Sequence, residues 1–171
     1  MRFILLFIFF SSINLNSQIE LSNLFSDNMI LQQESNVNFW GKAQKNQELL
    51  IYTSWSGNIH KTTVNNDGNW KIKIKTPSAG GPFNIQITCN SETKTINNVL
   101  IGEVWLSSGQ SNMEMTLSGN NREPVIGSLD AIANSNNSKI RFFNVKENVS
   151  KERISNVEGE WLQANFKNTP N

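Results

Sequence analysis

The sequence predicts a β-sandwich over residues 18–98, followed by the opening part of an α/β parallel-sheet domain over residues 99–171. Three observations predict this order. Short segments of alternating apolar and polar residues fill the first half, separated by glycine, proline and asparagine turns with no helical period between them. At Val99 an apolar run begins and leads into a turn rich in serine and glycine. Helix-like and then strand-like segments follow that turn, as in α/β domains.

The first 17 residues have the pattern of a secretory signal peptide. Arg2 supplies a positive charge, residues 3–10 are continuously apolar, and residues 11–17 are small and polar apart from two aliphatic residues. The apolar run is shorter than the ~20 residues that a membrane-spanning helix requires. We therefore expect cleavage near Ser17–Gln18 and export of the mature chain to the periplasm or the cell exterior.

Composition excludes several function classes. The 171 residues are 37% hydrophobic and 17% charged, with a net charge of +1 and lysines that are scattered along the chain. Without a basic patch, we do not expect a nucleic-acid partner. The single cysteine, Cys89, forms no internal disulfide. No cluster of metal-binding residue types is present in the sequence, and we expect neither a metal nor a cofactor.

Within the predicted sandwich, the clearest element is a hairpin over Asn58–Lys75. Its turn contains Asp67-Gly68, which supplies the positive φ that tight turns need. On the second arm, Trp70, Ile72 and Ile74 share one face, and the lysines between them form a solvated face that we expect to guard a sheet edge. Other strands are expected near residues 37–41, 49–52, 83–87 and 92–96, with turns at 25–29 and 77–82.

The second half is expected to begin with a parallel-sheet unit. Residues 99–106 are largely apolar on both faces, which is typical of a strand covered by helices on both sides. One or two helical turns over 113–117, a helix over 125–133 and a strand over 140–145 would complete a right-handed crossover. Residues 146–171 are interpreted as loop.

Ser111 has two interpretations on residue spacing alone. It stands at the apex of a predicted strand–turn–helix, where backbone N–H groups can hold an oxyanion and a serine can act as a nucleophile. It can equally cap the next helix. The spacing Gly109-Gln110-Ser111-Asn112-Met113 is not the Gly-x-Ser-x-Gly elbow of α/β-hydrolases, because Met113 replaces the second glycine.

The segment Gly102–Glu114, Gly-Glu-Val-Trp-Leu-Ser-Ser-Gly-Gln-Ser-Asn-Met-Glu, resembles the first signature block of the sialate O-acetylesterase family of the SGNH hydrolase superfamily. Flanking segments are similar to the same family at residues 24–32, 37–41, 67–70, 79–82, 140–143 and 159–161. The resemblance implies a flavodoxin-like SGNH α/β fold for residues 99–171, of which this chain would hold only the N-terminal, truncated part.

The resemblance also implies a chemistry: hydrolysis of O-acetyl esters on a sugar of the sialic acid type, so that the expected partner is an acetylated carbohydrate. Ser111 would be the nucleophile, and the backbone N–H groups of Ser111 and Gln110 would form the oxyanion hole. Asn112 and Glu114 belong to the same block and either contact substrate or order the turn.

Two departures from the family pattern affect this expectation. Residue 107 is serine where the family often has cysteine, a change between small residues. The family's catalytic Asp-x-x-His motif has no counterpart, and the only histidine, His60, is expected to be an ordinary strand residue. Since loss of a triad member typically lowers the rate by ~10⁴ or more, the 171-residue chain is expected to be inactive.

Two further expectations concern Glu103 and the overall role. Glu103 lies in the predicted buried strand, and we expect a structural carboxylate that hydrogen-bonds to residues beyond Asn171. The alternative to an esterase is a non-catalytic carbohydrate-binding or adhesion module built on the β-sandwich.

Overall fold

The computed structural model describes residues 18–119 and 123–169, and the predicted signal peptide lies outside these residues. Eight strands form two sheets that enclose one core. The strands are β1 (Glu20–Leu21), β2 (Ile30–Gln32), β3 (Asn36–Lys42), β4 (Glu48–Thr53), β5 (Asn58–Thr63), β6 (Asn69–Lys75), β7 (Gly80–Cys89) and β8 (Glu92–Gly102). One sheet has the order β1-β3-β6, and the other has the order β2-β8-β7-β4-β5. The predicted sheet-rich sandwich is confirmed.

Alternation along the strands builds the core. Each sheet turns one face inward, and the buried residues of both faces form a single cluster. On β6, Trp70 and Ile74 are buried while the intervening lysines are exposed, as the pattern predicts. The remaining large members of the core are Ile19, Phe25, Met29, Leu31, Phe39, Leu49, Ile51, Val64, Ile85, Ile87, Ile96, Val99 and Ile101.

The predicted hairpin over Asn58–Lys75 is wrong, although its two arms and its turn exist. β5 pairs with β4 and β6 pairs with β3, so the two arms belong to different sheets. The turn is closed by hydrogen bonds from Gly68 N–H to the Asn65 carbonyl and from Asn65 N–H to the Asn69 carbonyl. Gly68 has φ +82° there, a conformation that favours glycine. An arch between two sheets and a hairpin have the same alternation and the same turn residues.

The strand predicted over residues 99–106 is also corrected. Val99–Gly102 are the last residues of β8, a sandwich strand that is antiparallel to β7 and parallel to β2. The last paired residues of β8 are Ile101, which lies opposite Gly80, and Gly102, which lies opposite Gln32. Residues 103–109 therefore lack neighbouring strands and form neither helix nor strand. The sandwich sheet extends to Gly102, four residues beyond the predicted boundary.

The predicted β–α–β crossover is not formed by the residues that the structure describes. A helix, α1 (Ser128–Ala133), has only six residues and buries none of them, so it covers no sheet. The strand β9 (Asn137–Phe143) pairs antiparallel with β10 (Trp161–Ala164) in a separate two-stranded sheet. The loop predicted over residues 146–171 therefore contains a strand. Within the described residues, no helix is both long and apolar enough to cross a membrane.

The segment that contains β10 is attached to the sandwich. The Trp161 indole N–H donates to the Leu24 carbonyl at 2.9 Å, and its ring packs against the edge of the core and against Phe143. The side-chain oxygen of Asn156 accepts hydrogen bonds from Ser22 Oγ and from Asn23 N–H. The C-terminal segment is thus anchored on residues 22–24, although it adds no strand to either sandwich sheet.

Candidate active-site segment

The segment from Glu103 to Leu117 leaves the sandwich at the end of β8 and carries the candidate nucleophile. It is exposed almost throughout, and its apolar side chains are not packed: Trp105 is 86% exposed and Leu106 is 94% exposed. Ser111 is the first residue of one turn of 3-10 helix, Ser111–Met113. The hydrogen bonds of this turn run from Met113 N–H to the Gln110 carbonyl at 2.8 Å and from Glu114 N–H to the Ser111 carbonyl at 3.1 Å.

The helix expected after Ser111 is replaced by this single turn, so the described residues give Ser111 no helix N-terminus. The alternative in which Ser111 caps a helix is wrong as well, because Gln110 occupies the position before the turn and makes no side-chain capping bond. Within residues 18–119 and 123–169, the Ser111 hydroxyl forms no hydrogen bond. It is a free hydroxyl on a tight turn.

Gly109 allows the Met113 side chain to pack closely against the backbone of residue 109. A Cβ atom on residue 109 would lie 2.6 Å from Met113 Cγ, which is closer than real Cβ contacts. Glycine at 109 therefore lets Met113 fold back over the chain before Ser111. The N–H groups of Gln110 and Ser111 have no hydrogen-bond partner in the described part of the chain. Asn112 and Glu114 flank them and are exposed.

A polar cluster fixes the chain where it enters this segment. The Glu103 carboxylate accepts hydrogen bonds from Gln32 Nε2 at 3.0 Å and from Gln33 Nε2 at 2.6 Å. The other amide atoms are also used, since Gln32 Oε1 accepts from Val104 N–H and Gln33 Oε1 accepts from Ala79 N–H. Both glutamines lie at the end of β2, which pairs with the end of β8. The sandwich thereby sets the direction of the candidate segment.

The expectation for Glu103 is corrected by this cluster. Glu103 is exposed rather than buried in a strand, and its partners are Gln32 and Gln33 of the sandwich rather than residues beyond Asn171. Donation from Gln32, followed by that from Gln33, lowers the pKa of Glu103 below its ordinary value of 4.5, because both hydrogen bonds favour the ionised form.

His60 is placed on a strand remote from the end of β8. It lies on β5, three strands from β8 in the order β8-β7-β4-β5. Three strand spacings separate β5 from β8 by about 14 Å. His60 is half-buried and pairs with Ile51, as expected of an ordinary strand residue.

The described residues provide no metal site, since no three His, Cys, Asp or Glu side chains converge among them. A groove of about 440 Å³ lies elsewhere, on the sandwich between residues 21–27 and 94–96. The carboxylate of Asp27 in this groove already accepts a hydrogen bond from Asn97 N–H. The groove does not contain Ser111.

The chain is similar in sequence to known acetylesterases, although no family model matches it. It is 29% identical over 111 residues to the sialate O-acetylesterase of Homo sapiens, and 35% identical over 99 residues to that of Rattus norvegicus. These alignments include 56% and 52% of this chain. The resemblance to the sialate O-acetylesterase family is confirmed.

A solved structure supports the resemblance to sialate O-acetylesterases. The crystal structure of a carbohydrate acetylesterase from Xanthomonas citri matches 90% of this chain with a TM-score of 0.81 and 26% sequence identity. The chain covers 34% of that structure, and about a fifth of the length of the curated relatives, 20% for the human and 18% for the rat protein.

Proposed function

We propose that the protein containing these 171 residues is an exported carbohydrate O-acetylesterase that removes acetyl groups from sugars of the sialic acid type. The observation that carries this proposal is the likeness to a carbohydrate acetylesterase over 90% of the chain. The named relatives, the sialate O-acetylesterases of human and rat, support the same reaction class. Export is supported by the signal-peptide pattern of residues 1–17 and would be checked by a mature chain that begins near Gln18.

In the proposed layout, residues 18–98 with the end of β8 form an N-terminal β-sandwich. Residues 99–171, of which Val99–Gly102 still pair within the sandwich sheet, form the first part of an SGNH-type α/β esterase domain. The exposed apolar side chains of Trp105 and Leu106 are consistent with a segment whose packing partners lie outside the described residues. The curated relatives are much longer than the part of them that this chain covers.

In the proposed reaction, Ser111 Oγ attacks the carbonyl carbon of the acetyl ester while its proton passes to a general base. The backbone N–H groups of Gln110 and Ser111 stabilise the oxyanion, and each such donor is typically worth about 3 kcal/mol of barrier height. The sugar hydroxyl leaves with a proton, and water then releases acetate from the acyl-enzyme. We assign the base to residues outside those described, because the sequence lacks the family's Asp-x-x-His motif.

The test is a comparison of serine variants. In a protein that includes the remaining esterase domain, we expect Ser111→Ala to lower kcat on O-acetylated sialic acid by at least ~10⁴-fold, because no other group can carry the acetyl. The neighbouring Ser108→Ala is the matched control and should retain activity. The 171-residue chain alone should hydrolyse 4-nitrophenyl acetate no faster than its own Ser111→Ala variant.

Two results would contradict the proposal. Retention of activity in Ser111→Ala of the longer protein would exclude Ser111 as the nucleophile. Clear turnover by the 171-residue chain that is lost in Ser111→Ala would show that a base exists among these residues.

A further inference from the structure

The outer face of the three-stranded sheet carries a straight row of three lysines, Lys71, Lys73 and Lys75. They alternate on β6 with inward-facing residues, so all three point to solvent. Residues two apart on a strand are separated by about 7 Å, so the row is about 14 Å long. Among the described residues, none of the three forms an ion pair. The acidic residue Glu20 lies on β1, two strands away, opposite Lys42.

A second row of polar side chains runs beside the lysines on β3. Asn36 pairs with Lys75, and Asn38 pairs with Lys73 in the register of the two strands. Asn36 is exposed, whereas Asn38 is half-buried and its Oδ1 is a buried atom that has no hydrogen-bond partner in the described part of the chain. Ammonium groups suit carboxylates, while amide side chains both donate to and accept from hydroxyl groups. The lysine row and the exposed Asn36 together present the groups that an acidic sugar chain needs.

Trp40 lies beside Lys71, at one end of the lysine row. It pairs with Lys71 across the strands, but its indole N–H donates to the Ser155 carbonyl and its ring stacks edge-on against Phe25. Trp40 is therefore held by the protein itself and is not free to stack on a ligand. The free part of the face is the lysine row together with Asn36.

The lysines are not needed to protect the edge of β6. Thr62 Oγ1 donates to the Lys71 carbonyl at 3.3 Å, and the Trp55 indole N–H donates to the Lys75 carbonyl at 3.3 Å. Side chains of the other half of the sandwich thus cover this edge, a task that exposed lysines perform on unprotected edge strands. Protection of the β6 edge therefore does not account for the row of three lysines.

We infer that this face binds an acidic polysaccharide, with sugar carboxylates on the three ammonium groups and a sugar hydroxyl on Asn36. The inference names a substrate class for the proposed acetylesterase, and it rests on that function only for the presence of acetyl groups. Nucleic acid is disfavoured, because this face has no arginine and no free aromatic ring and because the chain carries a net charge of only +1.

The experiment measures binding without any ester. The 171-residue chain is titrated with fully de-esterified polygalacturonate by isothermal calorimetry, and with dextran as an uncharged polymer. We expect binding of polygalacturonate that weakens with salt, and no binding of dextran. Loss of one exposed charge contact should raise the dissociation constant about twofold. The triple substitution Lys71→Gln, Lys73→Gln, Lys75→Gln should therefore raise it about tenfold.

A matched triple variant separates this face from general charge. Lys61→Gln, Lys139→Gln and Lys167→Gln change the net charge equally but lie on β5, on β9 and after β10, and this variant should bind like the unmodified chain. Thermal melting checks that both variants fold.

Equal weakening in both variants, no binding at all, or equally tight binding of duplex DNA would overturn the inference. Ester hydrolysis on a neutral acetylated sugar, measured with the longer protein, tests the proposed function independently of these outcomes.

Discussion

The sandwich and the Ser111 segment follow one another along the chain but are stabilised in opposite ways. In the sandwich, every second residue of the central strands is buried, and two sheets share one core. In the segment from Glu103 to Leu117, apolar side chains such as Leu106 stand in solvent, and the chain is directed mainly by hydrogen bonds from Gln32 and Gln33. The sandwich is therefore stabilised by its own buried core, whereas the candidate active-site segment is held mainly by the hydrogen bonds at its first residue, Glu103.

The same substitution in the two regions gives the largest expected difference. Leu49 is fully buried in β4 and Leu106 is almost fully exposed. Leu49→Ala should lower the free energy of unfolding by about 2–5 kcal/mol, because it removes packed methyl groups and leaves a cavity. Leu106→Ala should change it by less than about 0.5 kcal/mol. Urea unfolding of both variants measures the difference, and equal losses would show that Leu106 is packed.

A pair of tryptophans tests how firmly the C-terminal segment is attached. Trp161 is half-buried and donates to the Leu24 carbonyl, while Trp105 is exposed. Trp161→Ala should cost about 2 kcal/mol, because it loses a hydrogen bond and part of its packing, and Trp105→Ala should cost under about 0.5 kcal/mol.

Thermal melting and limited proteolysis measure this second comparison. In Trp161→Ala, cleavage should become faster within residues 146–169 and should stay unchanged in the sandwich. If Trp105→Ala were the more damaging substitution, the assignment of Trp161 as the anchor would be wrong.

The smallest effect is expected at Glu103, where the two regions meet. Its pKa is lowered in the folded chain, so its contribution to stability is present above pH 4.5 and is lost as the pH falls through the folded pKa. Glu103→Gln lacks the ionised acceptor at every pH. The melting temperature of the variant should lie slightly below that of the unmodified chain at pH 7, and the difference should be smaller at pH 3.

Glu152→Gln is the control for the Glu103 experiment, since Glu152 is exposed and its position lies outside β2 and β8. It removes the same charge without touching Gln32 or Gln33, and its melting temperature should follow that of the unmodified chain at both pH values. A difference between Glu103→Gln and the unmodified chain that persists unchanged at pH 3 would mean that ionisation of Glu103 is not what stabilises the junction.

The sandwich could be predicted to a large extent from local pattern. Burial of Trp70 and Ile74, exposure of the intervening lysines and the turn at Asp67-Gly68 all follow from alternation and backbone preference, which are properties of neighbouring residues. The partner of each strand could not be predicted in this way. β5 and β6 look like a hairpin in sequence, yet the structure places them in different sheets.

The candidate site likewise has features that the local sequence predicts and features that it does not. Ser111 is identified by the block of residues around it, and the tight turn follows from Gly109 and Met113. The expected strand before it and helix after it do not form, because pairing stops at the end of β2 and at the start of β7 and because no packed partner among the described residues covers the segment. Sequence reasoning missed the role of Gln32 and Gln33, since about 70 residues separate them from Glu103.

By itself, the sequence determined the sandwich class, the inward and outward faces of its strands and the resemblance that makes Ser111 a candidate nucleophile. The tertiary structure decided which strands pair, where β8 ends and how Glu103 is held. The reason is the separation along the chain over which each kind of interaction acts. Alternation and turn preference act between near neighbours, whereas strand pairing and side-chain hydrogen bonds join residues that only folding brings together.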